Sequence, residues 1–250
     1  MPDMSPFEPD ASQTGGQPGA GDPDELFDLP GLEQPVRDCP LCPRLVSYRE
    51  VNRAANPQWW NAPVPSWGGL DVELLIVGMA PGVKGANRTG RPFTGDYAGT
   101  LLYGTLLKFG FAAGHYGADP ADGLSLRGCR IVNAVRCVPP ANLPQPVEVR
   151  TCNRFLRSEL QTIRPLRAVL ALGVLAHSAV LVACGIPSSR VRFKHGQIVA
   201  LPDGLLLADS YHVSRYNTNT GRLTTEMFES VVASLRRQLD APSAAQTDGV

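Results

Sequence analysis

"AVLALGVLAHSAVLVACGIP", residues 168–187, runs twenty residues without a charge, and its reading decides the fold. At that length a single apolar helix could cross a bilayer. The internal punctuation argues against it. Gly173 divides the stretch into a short run, "AVLAL", and a longer one, "VLAHSAVLVAC", while Pro165 and Pro187 bracket the pair. The first half predicts a buried strand, Gly173 the turn, and the second half a buried helix.

The same alternation extends in both directions. "VELLIVG" (72–78) is an apolar run closed by glycine and predicts a buried strand. "TLLYGTLLKFGF" (100–111) has helical spacing, "RIVNAVRCV" (130–138) reads as a strand, and "PVEVRTCNRFLRSELQTI" (146–163) is an amphipathic helix opened by a proline. "LLLADS" (205–210) predicts another strand and "RLTTEMFESVVASLRRQL" (222–239) a closing helix. Strands alternating with helices imply an α/β fold, a parallel sheet with helices on both faces. Sites in such sheets lie beyond the carboxyl ends of the strands, which singles out loops 78–97, 136–146 and 211–221.

With 250 residues and 43% hydrophobic content, the chain suits one sizeable domain. Its net charge of zero hides an uneven distribution. Residues 1–30 carry seven acids and no Lys or Arg, which leaves an excess of +8 on residues 31–240. A basic domain with an acidic tail points to a polyanion partner. Segment 1–30, with six prolines and four glycines, is expected to be disordered, as is 241–250; the domain is expected over 31–240. The opening "MPDMSPFEPD" has neither a basic nor an apolar segment, so a cytoplasmic location, beside the nucleoid, is expected.

Six cysteines in such a compartment point to metal, catalysis or core rather than disulfides. Cys39 and Cys42 form a C-x2-C pair in "CPLCPRL"; Cys137 and Cys152 flank "VPPANLPQPVEVRT". Four thiolates in two groups can hold zinc or an iron–sulfur cluster, and the wide second spacing is the less zinc-like. Cys129 and Cys184 lie in apolar surroundings and read as core.

The loop "APGVKGANRTGRPFTGD" (80–96) combines glycines, basic residues, one aromatic ring and a terminal carboxylate. Glycines let backbone approach a ligand closely, yet neither GxGxxG nor GxxxxGK[ST] is present. Phe93 could be core or a platform for a base. Asp96 could cap the following helix or act as a general base. His212 follows a strand directly, which raises its functional odds. Asn133 is an amide inside a buried run and must find partners, one candidate being a base edge. Asn217, Asn219, Thr218 and Thr220 could meet phosphates or base edges, or form a polar turn in which Thr220 caps the next helix.

Taken together, "CPLCPRLVSYRE", "VGMAPGVKGANRTGRPFTGDYAG", "NAVRCVPPANLPQPVEVRTC" and "YHVSRYNTNTGRLT" resemble the uracil-DNA glycosylase superfamily, most closely its B-type iron–sulfur branch, often called family 5. The resemblance runs from about Cys39 to Leu239. A-type relatives typically carry Glu where this chain has Met79, and the Asp96 of "FTGD" favours the B-type.

The resemblance implies a three-layer α/β/α sandwich around a four-stranded parallel sheet. It implies a structural [4Fe–4S] cluster on Cys39, Cys42, Cys137 and Cys152. It also implies hydrolysis of the N-glycosidic bond of uracil in DNA by a monomer that flips the base into a pocket. Gly78, Met79 and Ala80 would line that pocket, Phe93 would stack on the base, and Asn133 and Asn217 would bind or position it. Asp96 would handle the water, His212 would donate to the departing base, and Asn142 would assist. Lys84, Arg88, Arg91, Ser214, Arg215, Tyr216 and Arg222 would meet the DNA, with Arg215 or Tyr216 filling the vacated space. Hypoxanthine and other deaminated bases are further expected substrates. No lysine is placed as a nucleophile, so strand cleavage is not expected. Two rivals are a non-catalytic iron–sulfur DNA-binding module and a zinc-stabilised nucleotide hydrolase.

Overall fold

The computed structural model describes residues 31–241. The two predicted tails therefore lie outside the described residues, apart from Ala241. In chain order the elements are α1 (Pro43–Ala55), β1 (Leu74–Gly78), α2 (Ala86–Thr89), α3 (Tyr97–Lys108), β2 (Ala112–Ala113), β3 (Ser125–Leu126) and β4 (Cys129–Asn133). There follow α4 (Pro146–Thr162), β5 (Ala168–Leu172), α5 (Val174–Ala183), β6 (Ile198–Ala200), β7 (Leu206–Ser210), α6 (Arg215–Asn219) and α7 (Thr225–Asp240).

The deciding stretch divides as its glycine predicts: β5, then Gly173 at φ 97°, then α5. No helix among the described residues is long and apolar enough to cross a membrane.

The main sheet has the order β4-β1-β5-β7-β6. The first four strands pair in parallel, the four-stranded core that the resemblance implies. The short β6 adds an antiparallel fifth strand on β7 that sequence patterning did not reveal. Strand alternation sorts the core into two layers. Leu74 and Ile76 face a cluster with Leu102 and Leu106 of α3 and Phe228 and Val232 of α7. Leu75 and Val77 face the other, with Leu156 of α4 and Ala179 and Val180 of α5.

Strand β4 is shorter than the predicted 130–138 run. Beyond Asn133 the chain is still tied to the first strand's exit, because Ala134 and Val135 donate to the carbonyls of Gly78 and Met79. The predicted helix 100–111 starts earlier, at Tyr97, because Asp96 caps it, and ends at Lys108. The last helix is capped by Thr224, whose side chain accepts from the Met227 N–H; Thr220 instead bonds back to the Tyr216 carbonyl. From β1 the chain crosses to β4 on one side, and from β4 through α4 to β5 on the other. The loops leaving β1 and β5 therefore diverge and open a crevice at the strands' carboxyl ends.

Candidate functional site

In that crevice lies a cavity of about 640 Å³, whose wall includes Met79, Ala80, Lys84, Asp96, Asn142, Gly173, His212, Ser214 and Arg215. A recess beside it is lined by Ala80, Phe93, Asp96, Asn133 and His212, among others. Residues from four separate segments thus converge on one site of small-ligand size.

Gly78 ends β1 beside Asn133 of β4. A Cβ on Gly78 would fall 2.4 Å from Asn133 Oδ1 and 2.6 Å from Phe93 Cζ, so only glycine lets the amide and the ring close over the strand end. Phe93 is 7% exposed and lies 6.1 Å from the His212 ring, centroid to centroid. Its φ of 51° is strained for a bulky residue, a cost of about 1–3 kcal/mol. Anchors beneath hold it there. Tyr116 Oη donates to the Phe93 carbonyl at 3.2 Å, and Tyr103 Oη donates to the Pro92 carbonyl.

Asn133 Oδ1 is buried without a hydrogen-bond partner. Such an acceptor costs roughly 1–3 kcal/mol until something donates to it.

Asp96 fills its capping role and keeps its carboxylate on the cavity wall. Its Oδ1 accepts from the Ala98 N–H at 3.2 Å and caps α3, while the carboxylate lines cavity and recess. The glycine loop presses on it so closely that a Cβ on Gly85 would lie 2.2 Å from Oδ2. Burial raises its pKa, against the N–H groups of Ala98 and Gly99. His212 is pushed down to about 4 by burial, so its imidazole is neutral at pH 7. A neutral ring can donate from one nitrogen without presenting a cation.

Other predicted site residues play different parts. Arg91 is 5% exposed and turned inward, its guanidinium bidentate on Asp122 at 2.8 and 2.7 Å and over the Trp67 ring at 4.8 Å. It anchors the loop and is not free to meet DNA. Burial works against the Asp122 carboxylate, but Arg91 and the Leu124 and Gly117 N–H groups hold it well below the usual range. Asn217 lies on α6, and its amide donates to the His212 carbonyl at 2.8 Å; it positions that histidine rather than facing the recess. Ser214 lines the cavity and also caps α6.

Lys84 is exposed, and so is Arg88, which braces the loop through the carbonyls of Lys84 and Gly95. Arg215 stacks over Tyr97 at 5.3 Å and Arg222 over Tyr211 at 4.8 Å, both exposed. Tyr216 is 71% exposed. Of these exposed cations, Lys84 and Arg215 line the cavity.

Asn142 reaches the cavity from a 3-10 turn, Pro140–Asn142, with Ala141 and Asn142 both at φ 55°. The turn is clamped from behind. Arg44 is bidentate on Glu148, each bond 2.7 Å, and donates to the Leu143 carbonyl at 3.2 Å; Glu148 also accepts from the Gln145 N–H.

Cys39, Cys42, Cys137 and Cys152 line one separate cavity, together with Leu45, Arg49, Val135 and Phe155. All four are free thiols. Burial pushes Cys137 up to about 12 and Cys152 up to about 11, so bare thiolates are disfavoured there. Among the described residues, no three of His, Cys, Asp and Glu converge tightly enough for a single metal ion. Cys129 is buried and donates to the Phe111 carbonyl, as a core residue does.

Sequence reasoning missed the supports: Tyr103, Tyr116, Asp122, Arg44 and Glu148. Glu148 had a local signal in its capping box with Gln145, but Arg44, Tyr103, Tyr116 and Asp122 act on partners 11 or more residues away.

The family model of the Uracil DNA glycosylase superfamily matches residues 65–236. A protein of Thermus thermophilus named type-5 uracil-DNA glycosylase is 43% identical over 216 residues, 84% of this chain and 98% of the relative. Its namesake from Pyrobaculum aerophilum is 43% identical over 199 residues, 78% of this chain and 86% of the relative. A type-4 uracil-DNA glycosylase of Archaeoglobus fulgidus is 34% identical over 114 residues, 45% of this chain and 49% of the relative.

Proposed function

The chain belongs to the uracil-DNA glycosylase superfamily, and on that premise we propose that it excises uracil from DNA as a monofunctional, monomeric glycosylase that initiates repair. The longer and closer match to type-5 than to type-4 relatives supports the B-type reading. The observation that carries the chemistry is the recess where an unpaired amide oxygen, an aromatic ring, a carboxylate and a neutral imidazole meet.

A base in duplex DNA must leave the stack to enter that recess. Phe93 supplies a face for it, and Asn133 Oδ1 accepts an N–H from its edge. The bond between C1′ and the base nitrogen breaks with its electron pair going to the base. Negative charge then grows on the base and positive charge on the sugar. His212 donates a hydrogen bond to the base as that charge appears. Asp96 takes a proton from water as the water oxygen bonds to C1′, and its charge favours the cationic sugar. Burial has already raised its proton affinity, which suits a general base. Asn142 helps position the water and sugar. Lys84, Arg88, Arg215 and Arg222 neutralise phosphates, and Tyr216 or Arg215 fills the space the base leaves. Hypoxanthine offers an N–H to Asn133 in the same way and is proposed as a second substrate.

Cys39, Cys42, Cys137 and Cys152 would hold a [4Fe–4S] cluster. Four free thiols around one cavity, two of them in a widely spaced pair, fit an iron–sulfur group better than a structural zinc. The group would supply rigidity and no step of the reaction. It would fix the ends of the segment that presents Asn142.

The test is an end-labelled duplex with one uracil opposite guanine, incubated with the protein and then treated with alkali. Cleavage that appears only after alkali is the expected result. No cleavage with uracil or hypoxanthine, from a protein that still binds the duplex, would make it a binding module instead.

A further inference from the structure

The cavity that gathers the four cysteines also receives a cation with no hydrogen-bonded carboxylate. Arg49, on α1, is 3% exposed and lines that cavity. Both terminal nitrogens donate to the Cys39 carbonyl at 3.3 Å. Its Nε is buried and makes no hydrogen bond. The nearest carboxylate, on the exposed Glu50, stands 3.9 Å away, beyond hydrogen-bond reach. Leu45, Val46, Val135 and Phe155 make the rest of the wall largely apolar.

A guanidinium held in such surroundings is costly unless negative charge faces it. Arg136, lining the same cavity, shows the contrast. Its guanidinium is matched by Glu159 at 3.1 Å and Ser66 at 2.7 Å. Four cysteine thiolates around an iron–sulfur core carry net negative charge, which would supply what Arg49 lacks.

We propose that Arg49 is the counter-cation of the cluster, balancing its charge and offering the Nε–H to a cysteine sulfur. Its side chain then sets how firmly the cluster is retained and how readily it accepts an electron. This inference rests on the proposed [4Fe–4S] ligation.

The test compares anaerobically purified holoproteins: wild type, Arg49→Gln and Arg49→Lys. Iron and sulfide content, chelator-driven loss of the visible charge-transfer band and the midpoint potential are measured on each. Arg49→Gln should lose its cluster roughly tenfold faster or more, the scale of lost outer-shell contacts to a metal site. Its midpoint potential should fall, because a missing cation disfavours the added electron. Arg49→Lys should keep the wild-type potential. If Arg49→Gln is merely less heat-stable, with unchanged release rate and potential, Arg49 only holds the Cys39 carbonyl and the proposal is overturned. A lysine variant as depleted as the glutamine one would also overturn it. Wild-type protein without iron and sulfide would instead remove the ligation on which the inference stands. Should Arg49→Gln fail to accumulate, the lysine variant's potential alone decides.

Discussion

Two buried polar assemblies grow from the two ends of the same strand. Near the start of β4, Arg130 is clasped by Glu159 at 2.7 Å, and Arg136 and Ser66 complete the network. All of it is under 9% exposed. At the strand's other end Asn133 keeps an unpaired oxygen, and His212 sits desolvated with its neutral form enforced. In the first assembly the charged groups satisfy one another, and only the Gln34 Nε2 at its margin lacks a partner. The second is incomplete at Asn133 Oδ1, and on the proposed function a flipped base would supply the missing donor. Around this strand, the paired charges are scaffold and the unpaired amide lies in the recess.

Asp96→Asn should break this comparison most sharply on the functional side. Asparagine is an equally good helix cap, so melting should barely move. Single-turnover excision should fall roughly 10²- to 10⁴-fold if the carboxylate is the base. Glu159→Gln probes the scaffold. It leaves two buried guanidinium groups without a counter-charge, at a cost of about 3–5 kcal/mol read by denaturant unfolding. Excision per folded molecule should remain near wild type.

Asn133→Ala should show the reverse signature. It removes an acceptor that nothing in the protein satisfies, so stability should change little. Base binding should weaken by about 1–3 kcal/mol, roughly tenfold to a hundredfold, measured as affinity for an uncleavable uracil duplex.

The smallest effect concerns His177, buried on α5. Its Nδ1 meets Asp209 at 2.8 Å and its Nε2 the Val191 carbonyl at 2.9 Å. Both partners are acceptors, so the imidazolium satisfies both. Burial alone would push its pKa down, but these bonds outweigh it and raise it above its ordinary 6.5. The stabilisation is therefore complete below about pH 6.5 and is lost as pH rises through the folded value. Melting temperature should decline across that window in the wild type, and the decline should flatten in His177→Gln.

What the sequence determined by itself was local. The uncharged stretch 168–187 separated at Gly173 because a glycine turn and a change of period are written in consecutive residues. The alternation of elements, the cap at Asp96 and the glycine loop after β1 were legible for the same reason. Tertiary structure decided which polar groups found partners. Arg91 turned inward because Asp122 waits 31 residues away, and Arg136 because Ser66 lies 70 residues back. Asn217 went to the His212 carbonyl, and Arg49 faced the cysteines. A charge takes the partner that the fold brings near, and that distance in space is not written in the spacing of the chain.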